Sequence, residues 1–255
     1  MTSIYEQVRY TSLFETGILI TGGASGIGAA HVEAFISQGA RVDFLDIDQA
    51  AGIAMAARHP GSRFHHCDLT DTQAVRQTVD KIEEERGAVD VLINNAACDQ
   101  RRDFWSYEPE DWQQDLTLNL SHQFFVTQAV ARHMRIRQRG SIIMTGSVSW
   151  MRGRPGMAGY TSAKAGINGL TRTLARELGE YGIRVNCIVP GAVVTERQKA
   201  LWLTPEMDQL FIDLQALKFR LNESHIARLA MFLASSESAG CSAANFVVDA
   251  GLTAN

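Results

Sequence analysis

Short apolar or β-branched runs alternate along the chain with longer segments of helical period, and this alternation predicts successive βαβ units around a parallel sheet. The runs 17–21, 41–46, 63–68, 89–94, 141–145, 183–189 and 245–249 read as strands, and seven such strands fit one open sheet. Between the fifth and sixth, Ala163, Ile167, Leu170, Leu174 and Leu178 recur at spacings of four and three, which puts them on one face of a long helix. Beyond Pro190-Gly191 the periodicity breaks. The segment at about 191–222, with Pro205, aromatic residues and mixed charge, predicts a loop with short helices that covers a site. No repeat, low-complexity tract or linker interrupts the pattern, so the reading is one doubly wound α/β domain over residues 1–255.

Composition narrows the function classes. With 255 residues, 45% of them hydrophobic, the chain can bury a sizeable core. Charged residues make up 20% and the net charge is −4, which leaves no cationic excess for nucleic acid or an anionic membrane surface. No apolar stretch approaches the roughly 18 residues of a spanning helix. The first residues, with Glu6, Arg9 and Glu15, lack the basic and apolar pattern of a leader. The expectation is a soluble cytoplasmic protein. Cys67, Cys98, Cys187 and Cys241 form no CxxC pair and the seven histidines are scattered, so reduced thiols and no metal site are expected.

Two constellations carry chemistry. The strand at 17–21 runs into Gly22-Gly23-Ala24-Ser25-Gly26-Ile27-Gly28 and then an alanine-rich helix. Glycines let the backbone approach a pyrophosphate, and the free N–H groups of the helix start stabilise its charge, so Gly22, Ser25, Gly26, Ile27 and Gly28 are candidate cofactor contacts. Asp46 ends the next strand, where it would accept from the adenosine ribose hydroxyls and repel a 2′-phosphate. That favours NAD over NADP. Tyr160 and Lys164, four residues apart on the long helix, leave the same face. A nearby ammonium helps to lower a phenol from its ordinary value near 10 toward that of a useful base, and a bound nicotinamide cation lowers it further.

These residues resemble the short-chain dehydrogenase/reductases, and the resemblance spans nearly the whole chain. The turn matches as Thr21 to Gly28, the adenine contact as Asp68-Leu69, and the family's Asn-Asn-Ala-Gly as Asn94-Asn95-Ala96-Ala97, with alanine in place of the last glycine. The resemblance implies catalytic roles for Asn119, Ser147, Tyr160 and Lys164. Ser147 is chosen because it lies 13 residues before the tyrosine. In the implied chemistry Tyr160 is the base, Ser147 holds the substrate oxygen, and Lys164 binds the nicotinamide ribose. Asn119 would hold a water that links Lys164 to solvent. Asp68, Leu69, Asn94, Ala96, Pro190, Val193 and Thr195 are implied cofactor contacts, with Tyr160 and Lys164 reaching the same ligand. The resemblance further implies a homotetramer that buries the helix bearing Tyr160.

Fold and catalytic set do not choose the substrate. Trp150 follows Ser147 closely, and Asp99, Gln100, Arg154, Arg197 and Trp202 sit in the neighbouring loops. An aromatic face with several polar groups suits a sugar ring. The pattern resembles the family's NAD-dependent aldose 1-dehydrogenases, which oxidise the anomeric hydroxyl to a lactone, and Trp150 is expected to wall the pocket of a neutral aldose. The alternative is a sugar acid or its deoxy-keto derivative, whose carboxylate would pair with Arg154 or Arg197. A non-catalytic dinucleotide sensor or scaffold is disfavoured by the joint presence of Asn119, Ser147, Tyr160 and Lys164.

Overall fold

The computed structural model describes residues 3–195 and 204–254. Among them seven strands form one parallel sheet in the order β3-β2-β1-β4-β5-β6-β7. They are β1 Gly17–Thr21, β2 Arg41–Asp46, β3 Ser62–His66, β4 Val91–Asn94, β5 Gly140–Thr145, β6 Ile183–Pro190 and β7 Asn245–Val248. The connecting helices are α1 Gly26–Ser37, α2 Gln49–Arg58, α3 Thr72–Arg86, α4 Pro109–Leu116, α5 His122–Arg137, α6 Ser149–Arg152, α7 Ala158–Gly179, α8 Pro205–Leu214 and α9 Glu223–Ala234. The central strands β1 and β4 are buried at every position, because helices cover both faces of a parallel sheet and leave no solvated side. The β3 edge is only partly buried.

Two strand ends differ by two residues from the sequence pattern, for local reasons, and the other ends agree within one. β3 stops at His66, since Asp68 turns the chain by accepting from Thr70 N at 2.9 Å and Thr70 Oγ1 at 2.8 Å. β4 starts at Val91, because side chains take the backbone groups of Val89: its N–H donates to Glu83 Oε1 and its carbonyl accepts from Arg137 Nη2, both at 2.9 Å. The long helix forms as predicted. Ala163, Ile167 and Leu174 are buried on α7, with Leu170 and Leu178 packed at the edge of the core.

The chain order reverses between β1 and β4, and the crevice beyond their carboxyl ends is where this architecture admits a ligand. Leaving β6, the chain pairs Val193 with Leu221, just before α9 begins. Between these two residues α8 is started by Thr204, whose hydroxyl accepts from Met207 N, and by Pro205 at its first position. No described helix is long and apolar enough to cross a membrane.

Candidate active site

Two cavities open at the crevice and meet at one tyrosine. A long cleft of about 1230 Å³ runs from the β1–α1 turn past the ends of β2 and β3. A smaller cavity of about 160 Å³ lies beside the end of β6, lined there by Pro190, Val193 and Thr195. Ile27, Asn95, Ala97, Asp99, Tyr160 and Thr195 line both.

The cleft is shaped by backbone. Gly22 has φ +66°, and a Cβ there would stand 2.8 Å from Ala96 Cα; a Cβ on Gly28 would stand 1.8 Å from the Gly22 carbonyl oxygen. Only hydrogen fits at these two places, and the resulting cradle leads straight into the first turn of α1, where backbone N–H groups favour an anion. Asn95 braces it, with Nδ2 donating to the carbonyls of Thr21 and Gly22 at 3.1 Å each. Ser25, Gly26, Asp46, Asp68, Leu69 and Ala96 also line this cleft. The Asp46 carboxylate accepts from Ala24 N at 2.9 Å and Asp48 N at 3.0 Å, which fixes it at the tip of β2.

Asn94 is placed otherwise than expected. It is fully buried, donates to Thr127 Oγ1 at 2.9 Å and lines neither cavity, since alternation along β4 points it into the core while Asn95 lines the cleft.

The smaller cavity gathers the reacting side chains. Ser147 follows β5 on a loop tied to the end of β6: Gly146 N donates to Ile188 O at 2.8 Å and Val148 N to Pro190 O at 3.0 Å. Its hydroxyl lies 2.7 Å from Ser149 Oγ, and Ser147 shares the cavity wall with Tyr160. Lys164, one turn along α7, is buried and donates from Nζ to Thr145 O at 2.8 Å, with its ammonium 5.7 Å from the Tyr160 ring centroid. Pro190 and Val193 complete the wall.

Asn119 lies in a π-helical turn, Thr117–Ser121, a widened geometry often found at functional sites. Its amide donates to Cys98 O at 2.9 Å and Asp115 O at 3.0 Å, and its Oδ1 accepts from Cys98 N at 2.9 Å. Both amide protons are thus engaged within the protein, and the side chain lines neither cavity. Asn119 instead holds the loop carrying Cys98 and Asp99. Arg102 fixes the same loop by donating to Asp111 at 2.5 Å, while its own N–H donates to Gly156 O at 2.9 Å.

A family profile described as enoyl-(acyl carrier protein) reductase matches residues 22–253. The chain belongs to the short-chain dehydrogenase/reductase family. It is 42% identical to the "probable galactose dehydrogenase GalD" of Rhizobium meliloti over 96% of this chain and 97% of that one. It is also 42% identical to the D-xylose 1-dehydrogenase of Caulobacter vibrioides over 95% and 97% of the two chains. A gluconate 5-dehydrogenase from Burkholderia cenocepacia, solved with NADP and tartrate, superposes with a TM-score of 0.89 at 30% identity, covering 96% of this chain and 98% of that one. The protein is accordingly an oxidoreductase of the nicotinamide-dinucleotide class. Where the family has glycine at the end of Asn-Asn-Ala-Gly, Ala97 has no positive φ, so its methyl is accommodated without strain on the wall the two cavities share.

Electrostatics of this short-chain dehydrogenase/reductase site differ from the simple expectation of a lowered phenol. Burial, followed by the Asp99 and Cys98 charges, pushes Tyr160 up to about 12 against the opposing Ser147 hydrogen bond. Burial holds Lys164 down to about 8. The protein alone therefore favours the protonated phenol.

The substrate candidates separate. Asp99 and Arg154 line the smaller cavity. Gln100 is exposed, accepts from Arg102 Nη2 at 3.3 Å and does not line it. Trp150 is 39% exposed and is not part of the wall either. One turn of helix explains this: positions 150 and 152 on α6 diverge by about 200°, so Arg152 faces the cavity and the indole faces out. Arg197 and Trp202 lie outside the described residues. Sequence reasoning missed Asn95, Arg101, Arg152 and Phe211 as lining residues and His122 in the cleft, a neutral imidazole held down to about 3 by burial and then by the Lys164 charge. Among the described residues no three metal-ligating side chains converge.

Proposed function

We propose that this protein is an NAD-dependent sugar dehydrogenase that oxidises the anomeric hydroxyl of an aldose to the lactone. The observation that carries the proposal is that Ser147, Tyr160 and Lys164 line one small cavity, and that Tyr160 also lines the dinucleotide-sized cleft beside it. When bound, NAD supplies the hydride acceptor and a positive ring beside the phenol. Ser147 donates to the substrate oxygen and aligns it. Tyr160 takes the hydroxyl proton as the C1 hydride leaves, so the C–H and O–H bonds break while a carbonyl forms. Lys164 holds the nicotinamide ribose, and its ammonium favours the phenolate.

Cofactor choice rests on charge. Asp46 and Asp48 flank the adenosine end of the cleft, and Arg58 is its one described basic lining residue, against Glu33, Asp46, Asp48, Asp68, Asp99 and Glu223. A ribose diol is welcome there and an added phosphate is repelled. The 42% relatives named for galactose and D-xylose support the sugar and the carbon. A second reading, a sugar acid oxidised at a secondary hydroxyl, is favoured by Arg154 in the wall and by the gluconate 5-dehydrogenase likeness. The proposal extends to a cytoplasmic homotetramer burying α7, as the family resemblance implies, which light scattering checks. The test of function is NADH formation with aldoses, aldonates and simple secondary alcohols. Turnover confined to sugars, with a lactone as product, upholds the proposal; turnover of simple alcohols alone overturns it.

A further inference from the structure

The wall of the cofactor cleft contains one buried side chain whose polar atoms the fold leaves unmatched. His122, the first residue of α5, is 2% exposed and lines the cleft with Ala96 and Leu118. Neither ring nitrogen has a hydrogen-bond partner in the protein, and no other described side chain of this wall has a buried polar atom orphaned in this way. The Ala96 carbonyl acts on the ring and favours its protonated form, but from outside hydrogen-bond geometry. A closer approach to that carbonyl would satisfy one nitrogen and leave the other.

As packing alone, such a residue is costly. A buried donor or acceptor left unpaired costs about 1–3 kcal/mol, and an apolar ring would fill the same space without that penalty. The penalty disappears when a ligand in the cleft supplies the missing partner.

The chemistry of the ring selects that partner. Burial and then the Lys164 charge hold the imidazole down to about 3, so near neutrality it is uncharged, with one N–H donor and one bare acceptor nitrogen. The N–H matches the Ala96 carbonyl. The bare nitrogen needs a donor, which a pyrophosphate does not offer, and the glycine cradle at the start of α1 already suits that group. The donors of a nicotinamide dinucleotide are its ribose hydroxyls, the adenine amine and the carboxamide. His122 does not line the smaller cavity, where Pro190 and Val193 await the carboxamide, and Asp68 and Leu69 mark the adenine end of the cleft. Of the two riboses, the adenosine one falls to Asp46. Lys164, whose charge reaches His122, is assigned to the other.

Resting on the nicotinamide-dinucleotide reading, and independent of which sugar is oxidised, we propose that His122 is a cofactor-binding residue that accepts a hydrogen bond from a hydroxyl of the nicotinamide ribose. It takes no part in the proton transfer, which stays with Tyr160. Two side chains, His122 and Lys164, then hold the ribose that carries the hydride acceptor.

Calorimetry of NADH and of ADP, which lacks the nicotinamide ribose, against wild type and H122F provides the test. Phenylalanine keeps a ring of similar size and removes both nitrogens. The proposal expects H122F to weaken NADH binding by about three- to tenfold, the scale of one hydrogen bond, and to leave ADP binding unchanged. Unchanged or tighter NADH binding in H122F overturns the proposal, as does an equal loss with ADP. Nitrogen-15 NMR of the wild-type imidazole gives a readout that a packing role would not move. NADH should shift the bare-nitrogen resonance of His122 to lower frequency, as accepting a hydrogen bond does, and ADP should not. A resonance unmoved at saturating NADH overturns the proposal, whether or not H122F folds. Wild type that binds neither NADH nor NADPH would defeat the dinucleotide reading itself, and this inference with it.

Discussion

The cleft and the smaller cavity share Tyr160, yet one is shaped by backbone and the other by side chains. In the cleft, Gly22 and Gly28 are held to glycine by contacts of 2.8 and 1.8 Å, and backbone N–H groups face the space. Asp46, fixed by two backbone donors, stands in its wall. In the smaller cavity Ser147 comes from the loop after β5, Tyr160 and Lys164 from α7, Arg152 from α6 and Phe211 from α8. A backbone site accepts one ligand class and is marked by glycine spacing. A side-chain site can be retuned one residue at a time on the same frame, so the two regions are expected to fail differently under substitution.

The largest separation is expected from Tyr160→Phe. Loss of the base should lower kcat by about 10³-fold or more, while NADH binding, read by fluorescence, stays near wild type because the aromatic ring still stands at the junction. In wild type, oxidation should rise with pH: the base must be ionised, and the protein alone holds the phenol up at about 12. The phenylalanine variant should lose that dependence. Equal loss of NADH affinity would show that the two regions are not separable.

Next in size is the cleft's own response. Gly28→Ala should weaken NADH binding by about tenfold or more, the scale of overpacking a rigid contact, with the residual kcat on saturating cofactor little changed. Asp46→Ala should narrow the NAD preference by about tenfold, since a ribose contact is lost and a repulsion relieved. Faster turnover of wild type with NADP at matched concentrations would defeat the charge argument.

This division also governs how much of the molecule was legible in sequence. Strand alternation, the glycine turn and the Tyr160–Lys164 spacing were readable because each depends on local period or on residues adjacent in the chain. The contact of Arg152 with the Phe211 ring was not readable, because the two residues lie far apart in the chain, on α6 and α8. Trp150 misled for a related reason. Its closeness to Ser147 in sequence suggested a wall, but one turn of α6 carries the indole outward and Arg152 inward. Asn119 was found by resemblance, while its engagement with Cys98 depends on a π-helical turn that no hydrophobic period announces.

A smaller effect is expected from acid. His31, behind the glycine turn on α1, and His122, in the cleft, are buried and held down to about 3, well below the value of 6.5 for a free imidazole. Folded values below the unfolded one mean that stability is complete above pH 6.5 and is lost as pH falls through it, because only the unfolded chain then takes up protons. Each histidine should contribute a slope approaching about 1.4 kcal/mol per pH unit below that point. Urea titrations between pH 7 and 5 measure it, and His31→Leu should remove part of the slope. Smallest of all, Trp150→Ala should change kcat/KM by less than about threefold, as for a surface residue. A large rise in KM would restore the indole to the pocket wall.

The central claim, that Ser147 and Tyr160 present the anomeric hydroxyl of a sugar for hydride transfer to NAD, is tested most directly with C1-deuterated galactose. The account predicts deuterium on the nicotinamide C4 of the NADH formed, a slowed turnover, and a lactone without deuterium. Deuterium retained at C1 of the oxidised product would contradict it.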